Sequence, residues 1–389
     1  MSKVLFIFER DMPTVSITRD TFRHLKEYPE IETDFIYMSD VKPSHIDDHD
    51  LIVFIRPNNV YAWRIAREAR RAGHLVVTFC DDDLLNLPNS EPTIPWRKKG
   101  LTKCLANSDV IWSSSQYILE KYKALTAGKR TAVTDTIINP EEIKGIDLDR
   151  VGDKVKIVYA AAPSHASLFE SYIGPIVPKL TETFGNNISF TFISVHPQVE
   201  GSNCDYLHGM PLSEYREYMK EQQFDIGLAP LHDDDFSKCK YFNKFLEYTT
   251  QGVVGIYSNV EPYTYVVKNG ETGLLADNKP ESWYKALSYA IENSQLRKKC
   301  VRNAIDYVKE NHSEKACIDK ICQGIPELLE GKASYRKCKN YRPQIIGYYF
   351  TRPLDWVYLI GFYLKQTGVK EVIKRTKRHF VEVKAYRRK

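Results

Sequence analysis

At 389 residues, with 43% hydrophobic and 27% charged side chains, the chain is too long for one ordinary domain and too apolar to be disordered, so two domains plus an appendage are expected. The net charge of +5 is uneven: residues 365–389 hold ten Lys or Arg against Glu371 and Glu382, a local +8, and the remainder sums to 5 − 8 = −3, so only the tail offers a basic surface. Eight cysteines form no CxxC pair, and the nearest two, Cys317 and Cys322, lack zinc-ligand spacing, which excludes a sequence-defined zinc module and favours reduced structural thiols.

The chain runs from Met1 straight into an apolar strand, Val4–Phe8, without the length or cleavage site of a signal peptide, so a cytosolic protein is expected. Val/Ile/Phe-rich runs follow at Asp34–Met38, Leu51–Ile55, Leu75–Phe79, Val110–Ser113 and Thr131–Thr134, with helical segments such as Arg19–Lys26 and Tyr61–Arg71 between them. This alternation predicts a parallel sheet covered on both faces. A charged linker, Asp147–Lys154, interrupts it. The pattern then restarts, with strands at Lys156–Ala160, Phe190–Ser194, Asp225–Pro230 and Val253–Tyr257 and helices near Leu212–Glu221, Phe242–Thr250, Ser282–Asn293 and Gln295–Asn311. The expectation is two doubly wound α/β domains, residues 1–150 and 151–333, whose strand ends face a shared cleft. From 334 to 389 the composition changes to an aromatic stretch, Tyr341–Leu364, and then the basic block.

The chemistry concentrates between Phe224 and Asn278. A buried strand ends at Ala229-Pro230, a polar loop follows, and a helix is expected from Lys240, placing Lys240, Lys244 and Glu247 on one face at spacings of four and three. Two ammonium groups and a helix N-terminus suit a diphosphate, and a carboxylate suits ribose hydroxyls. By spacing alone the same residues fit a solvated surface helix at least as well.

The order of elements adds a further argument. Asp225-Ile226-Gly227-Leu228-Ala229-Pro230, Lys244-Phe245-Leu246-Glu247-Tyr248, Gly252-Val253-Val254-Gly255 and Gly270-Glu271-Thr272-Gly273-Leu274-Leu275 follow one another. This succession resembles the donor-binding domain of GT-B glycosyltransferases, in particular the large retaining group that includes many bacterial capsule and lipopolysaccharide enzymes. The resemblance implies that Glu247 binds the donor ribose as the second glutamate of a Glu-x7-Glu pattern; the first would fall at Cys239, where this chain departs from the family. Lys240 and Lys244 are then expected to stabilise the leaving diphosphate. Pro230 and Tyr248 join the expected donor set, together with Ser164 and His165 of the small-residue turn after Lys156–Ala160, which lets backbone approach phosphate. His165 fits either a phosphate or acceptor ligand or a helix cap, and Tyr215 either a base-stacking or a core residue.

On the acceptor side, Asp81-Asp82-Asp83 follows a strand end, where Asp82 is a candidate base for an acceptor hydroxyl and Asp81 a second cleft carboxylate. The triplet also fits a solvated acidic loop. In this fold lysines and helix ends usually replace a metal, so no metal or cofactor is expected. Glu9, Arg10 and Arg56 stand at other strand ends, where arginines suit an acceptor phosphate such as that of a polyprenyl diphosphate, although Arg56, before Pro57, fits a structural ion pair equally well. The aromatic and basic tail, 341–389, is expected to attach to an anionic membrane surface without crossing it, because Arg352, Pro353 and Asp355 interrupt its apolar run. No nucleic-acid reader is recognised. The expected function is transfer of a sugar from a nucleotide sugar to a lipid-linked glycan on the inner face of the cell membrane, in surface polysaccharide synthesis. The alternatives are a catalytically silent homologue that binds sugar nucleotide or a membrane partner, and a sugar-nucleotide epimerase.

Overall fold

The computed structural model describes residues 2–23, 25–87, 92–150, 152–199, 204–331, 336–338, 353–370 and 372–373. The first sheet comprises β1 (Ser2–Phe8), β2 (Ile31–Tyr37), β3 (Leu51–Ile55), β4 (Leu75–Cys80), β5 (Val110–Ser113) and β6 (Arg130–Val133), in the order β2-β1-β3-β4-β5-β6. The second comprises β7 (Val155–Ala160), β8 (Ile188–Ile193), β9 (Cys204–Leu207), β10 (Ile226–Ala229), β11 (Val254–Ser258) and β12 (Leu274–Ala276), in the order β12-β11-β10-β7-β8-β9. Every strand pair is parallel. Strands β3, β4, β8 and β10 are buried along their whole length, as their continuous apolar runs require in a sheet covered on both faces.

Around the first sheet lie α1 (Pro13–Arg23), α2 (Pro43–Asp47), α3 (Ala62–Ala72), α4 (Pro95–Ala106) and α5 (Gln116–Tyr122). Around the second lie α6 (Ala166–Tyr172), α7 (Val177–Phe184), α8 (Leu212–Gln222), α9 (Asn243–Thr250), α10 (Pro280–Glu292) and α11 (Ser294–Asn311). The first helix begins at Pro13, well before the expected Arg19, because proline's fixed φ suits the opening turn.

Two more helices, α12 (Glu314–Cys322) and α13 (Glu327–Glu330), fall within the residues expected to complete the second domain. Instead of completing the second domain they return to the first, where Ile318, Ile321, Ile325 and Leu328 join the core formed by Val4, Phe6, Val77 and Trp112. Gly324, between them, sits against β6 so closely that a Cβ would lie 2.2 Å from the Thr131 carbonyl oxygen. Arg130 and Glu327 close the contact with an ion pair at 2.9 Å.

Residues 353–370 form a further helix. Its Asp355 is buried and accepts hydrogen bonds from Trp96 Nε1 (2.7 Å) and from Arg97 Nε (3.0 Å) and Nη2 (2.6 Å). Tyr358 packs edge-on to Trp96 and donates to the Thr93 carbonyl. Part of the tail therefore packs on the first domain. Among the described residues no helix is long and apolar enough to cross a membrane. The stretches 339–352 and 374–389, including Tyr341, Tyr348, Tyr349 and Phe350, lie outside the described residues.

Candidate functional site

In the second sheet the chain builds outward from β7 to β8 and β9, then returns to lay β10 on the other side of β7. Such a switch point leaves a crevice at the carboxyl ends of the two central strands, where α/β sheets bind ligands. A cavity of about 430 Å³ lies there, lined by Ala160–Ala162 after β7, Ser194 after β8 and Ala229–Leu231 after β10. Its outer wall carries His165, Tyr215, Lys240, Lys244 and Glu247, so five of the residues expected to hold the donor are brought to one place, with Pro230 as a sixth.

Glu247 is the hub. Its carboxylate accepts from Lys244 Nζ at 2.7 and 2.9 Å and from the Tyr215 hydroxyl. Burial, and then the Glu247 charge, push the Tyr215 hydroxyl well above its ordinary pKa, so it remains a donor throughout the accessible pH range. The Lys244 ammonium also lies over the Tyr215 and Tyr248 rings, 5.5 and 5.6 Å from their centroids. Lysine and glutamate are about a quarter exposed at the cavity rim, where a ligand offering phosphate to one and hydroxyls to the other can replace their mutual bond.

Three expected donor residues are placed otherwise. Lys240 is not on the helix: a 3-10 turn, Ser237–Cys239, precedes it, its own backbone is extended, and α9 starts only at Asn243. It nevertheless reaches the cavity, with its ammonium 4.8 Å from the Phe236 ring centroid. Tyr248 is fully buried beneath α9, donating to the Leu228 carbonyl at 2.7 Å, and does not line the cavity. It packs on Gly227, where a Cβ would come within 2.6 Å of its ring, so the Gly227–Tyr248 pair sets how closely α9 approaches β10. Ser164 is exposed in the turn before α6 and does not line the cavity either.

His165 does line it, and burial, then the charges of Lys240, His232 and Lys244, lower its pKa to about 4. The ring is neutral at pH 7. Because the unfolded value is near 6.5, the unfolded chain binds the extra proton first, so this residue's contribution to stability is present above pH 6.5 and is lost as pH falls toward 4. Replacing His165 with Gln is expected to flatten that part of the stability profile. Denaturant titrations of both proteins at pH 4.5 and 7 measure it, and an unchanged pH dependence would contradict the assignment.

Cys239 is fully buried in a cluster with Cys80, Leu84 and Leu101 of the first domain and does not line the cavity at the switch point. The acidic loop before it is ordered by local bonds: Ser237 N donates to Asp234, Lys238 pairs with Asp233, and Tyr117 from the first domain donates to Asp235.

A second cavity, of about 310 Å³, lies across the cleft, walled by α1 and by the carboxyl ends of β3 to β6. Asp81 and Asp82 line it, and both are paired with Arg56 Nη1, at 3.4 and 3.3 Å. Arg56 thus holds two carboxylates, the ion-pair alternative of its two expected roles. Asp83 turns inward: despite the opposing effect of burial, bonds from Lys121, Asn86 and Tyr122 hold its pKa below the usual range. Glu9 is bound by Arg97 at 2.9 and 3.0 Å, Arg10 is exposed, and neither lines either of these two cavities. Among the described residues three non-glycines have positive φ, and two of them line the cavities: Arg56 at 48° and Ser194 at 64°. Such backbone costs on the order of 1 kcal/mol and collects at functional sites.

Lys240, Tyr241 and Asn243 line both cavities, so the two are adjacent. Sequence reasoning missed Tyr241 and Asn243, and on the first domain Thr14, Trp112 and Asp135, which come from four separate segments and share no spacing. Tyr241 donates to Asp135 at 3.0 Å and accepts from Thr136 N at 3.1 Å, joining the domains at the cavity wall.

Residues 244–307 match the family described as glycosyl transferases group 1, a stretch that contains Lys244 and Glu247. No curated protein matches the chain by sequence. Among solved structures, Anabaena HepE in complex with UDP-glucose is 12% identical at a TM-score of 0.55, over 84% of this chain and 100% of that one. Sucrose-phosphate synthase from Thermosynechococcus elongatus is 12% identical at 0.58, over 85% and 100%. An E. coli trehalose-6-phosphate protein bound with UDP-2-fluoro glucose is 12% identical at 0.54, over 86% and 100%. The chain therefore has the two-domain α/β fold of GT-B glycosyltransferases, with residues 244–307 resembling glycosyl transferases group 1.

Proposed function

We propose that the protein is a glycosyltransferase that moves a sugar from a nucleoside diphosphate donor, held by Glu247, Lys244, Lys240 and Tyr215, to a hydroxyl of a glycan acceptor. The observation that carries the reading is the Tyr215–Glu247–Lys244 cluster at the strand switch point, within a segment that matches the glycosyl transferases group 1 family. In this reading Glu247 takes the ribose hydroxyls while Lys240 and Lys244 draw off the charge of the leaving diphosphate, so no metal ion is called for. Retention of the donor's anomeric configuration is what the family resemblance implies. Neutral His165 serves as a hydrogen-bond partner to donor oxygens. Calorimetric titration of wild-type protein with nucleoside diphosphates, followed by turnover of the matching nucleotide sugars, tests it. A second reading, a silent sugar-nucleotide-binding homologue, draws on Cys239, which offers no carboxylate to the donor cavity; binding without turnover of any donor would favour it.

We place the enzyme on the inner face of the cell membrane, acting on a lipid-linked glycan in surface polysaccharide synthesis. Support comes from the helix 353–370: while Asp355 and Tyr358 tie it to the first domain, Leu354 (56% exposed), Val357 (69%), Ile360 and Leu364 recur at helical spacing on its solvent side. The +8 block of residues 365–389 complements an anionic surface, and an apolar face with adjacent cations is the pair of signals that peripheral attachment needs. Vesicles of phosphatidylglycerol are expected to sediment the protein and vesicles of phosphatidylcholine to leave it in solution. Val357→Glu is expected to weaken binding about tenfold. Equal sedimentation with both lipids, or none with either, would contradict the placement.

A further inference from the structure

At the edge of the first sheet opposite the cleft, three side chains of metal-binding type converge from three segments. Asp47 ends α2 shortly before β3, His74 directly precedes β4, and Cys338 belongs to the chain that returns after α13. A carboxylate oxygen, a ring nitrogen and a thiol sulfur, one from each, lie within 4.8 Å of one another. The sheet brings the first two together: Leu51 pairs with Leu75, so the residues leading into β3 and β4 run side by side. Two backbone N–H groups then fasten the third, Arg336 N donating to the Ala72 carbonyl at 2.6 Å and Cys338 N to Asp47 Oδ1 at 2.7 Å.

The orientation of His74 suits a metal ligand. Its Nδ1 lies 2.9 Å from the His49 carbonyl oxygen, which can only accept, so in the neutral ring Nδ1 carries the proton and Nε2 presents its lone pair. Ligand histidines are commonly backed in this way, by a carbonyl on the second nitrogen. Nε2 is 3.9 Å from Asp47 Oδ1. That exceeds a hydrogen bond but is close to the roughly 3.3 to 3.8 Å between two ligands of a tetrahedral zinc ion whose bonds are about 2.0 to 2.3 Å long.

The donor set decides which ion fits. Imidazole and thiolate suit zinc, whereas magnesium and calcium take oxygen ligands. One thiolate and one carboxylate also neutralise a doubly charged ion, which matters because Cys338 packs on the apolar cluster containing Val41, Ile46 and Ala69. Glu68, the other carboxylate near Cys338, is bound by Arg67 and Arg71. Three protein ligands leave one tetrahedral position for water, and Asp47 lines an open cavity of about 870 Å³ through which ion and water enter.

We infer that Asp47, His74 and Cys338 bind one exchangeable zinc ion that ties the chain after α13 to the first domain. Binding forms three bonds from protein to zinc and releases the thiol proton to solvent, with no change of oxidation state. Because the ligands come from distant segments, no CxxC-like spacing marks the site in the sequence. It stands apart from the cavity between β7 and β10, and the inference is independent of the transferase reading.

The test uses the untagged full chain, stripped with EDTA and titrated with zinc alone, and with cobalt as its coloured substitute. One zinc per chain is expected, without competition from magnesium, and cobalt is expected to give a thiolate charge-transfer band in the near ultraviolet. Cys338→Ser is a small change at a half-buried position. It is expected to remove that band and to weaken zinc binding about a hundredfold, at least the effect of losing an outer-shell partner. Cys204→Ser and Cys322→Ser, at the other half-buried thiols, are expected to leave both unchanged. Zinc is also expected to slow tryptic cleavage after the exposed Arg336 and Lys337 several-fold in the wild type and not in Cys338→Ser. Absence of zinc binding by the wild type, a charge-transfer band that survives Cys338→Ser, or cleavage after Arg336 and Lys337 that zinc leaves unchanged would each overturn the inference.

Discussion

Replacing Glu247 with alanine is expected to weaken nucleoside diphosphate binding by about ten- to a hundredfold, the range for losing hydrogen bonds to a charged group. The carboxylate that accepts from Tyr215 and Lys244 in this structure is the group positioned to accept from two neighbouring ribose hydroxyls. Its removal also frees Lys244, so phosphate contacts persist and some affinity remains. Glu247→Gln separates the two effects: it keeps the shape of the side chain, removes the charge that orients Lys244, and is expected to fall between alanine and wild type. Lys244→Ala is expected to lower affinity for the diphosphate while leaving the nucleoside nearly as well bound. Titration calorimetry with a nucleoside and its diphosphate distinguishes the two residues. Equal loss of both ligands in Lys244→Ala would contradict the division of roles.

Arg97→Ala carries the largest expected effect on stability. Its guanidinium binds Glu9 from the loop after β1 and Asp355 from the C-terminal helix, whose side chains are each 11% exposed. Burial alone would lower the arginine's pKa, but Glu9 and Asp355 reverse the sign and hold it above its ordinary value. Without Arg97 two largely buried carboxylates are left unneutralised. Removing one partner of such a pair costs about 3 kcal/mol or more. The loss is expected to appear as a lower denaturation midpoint and as faster tryptic cleavage at Lys365 and Lys370, because the helix loses its main polar tie to the first domain. Asp355→Ala, which leaves the Arg97–Glu9 pair intact, is expected to release the helix at a smaller cost in stability. Unchanged proteolysis in both variants would mean that Tyr358 and its apolar neighbours, not the ion pair, hold the helix.

The parts of this molecule that were legible in the sequence are those whose signal is local. The ranges of β3 and β5 follow from the apolar runs Leu51–Ile55 and Val110–Ser113, and Glu247 and Lys244 follow from a succession of short motifs within about fifty residues. Tyr248 illustrates where a motif misleads: adjacent residues on a helix point about 100° apart, so if Glu247 faces the cavity its neighbour faces the sheet. Lys240, expected on the helix, lies before it, and neither the preceding 3-10 turn nor the start at Asn243 carries a side-chain cap that would mark the boundary in the sequence. The return of α12 and α13 to the first sheet was hidden for another reason. Amphipathic helices announce a buried face but not the sheet they bury it against, and here the partner strand lies roughly two hundred residues earlier. Trp112, Asp81, Ser114 and Thr14 form one cavity from three distant strand and helix ends, an arrangement that only the fold defines.

The measurement that tests the account most directly is titration of the wild-type protein with UDP, GDP, ADP and CDP by calorimetry, repeated with Glu247→Ala. One of them is expected to bind, and the substitution to abolish most of that affinity. Binding of none of them, or binding that survives the loss of Glu247 unchanged, would contradict the assignment of the cavity between β7 and β10 as a nucleotide-sugar site.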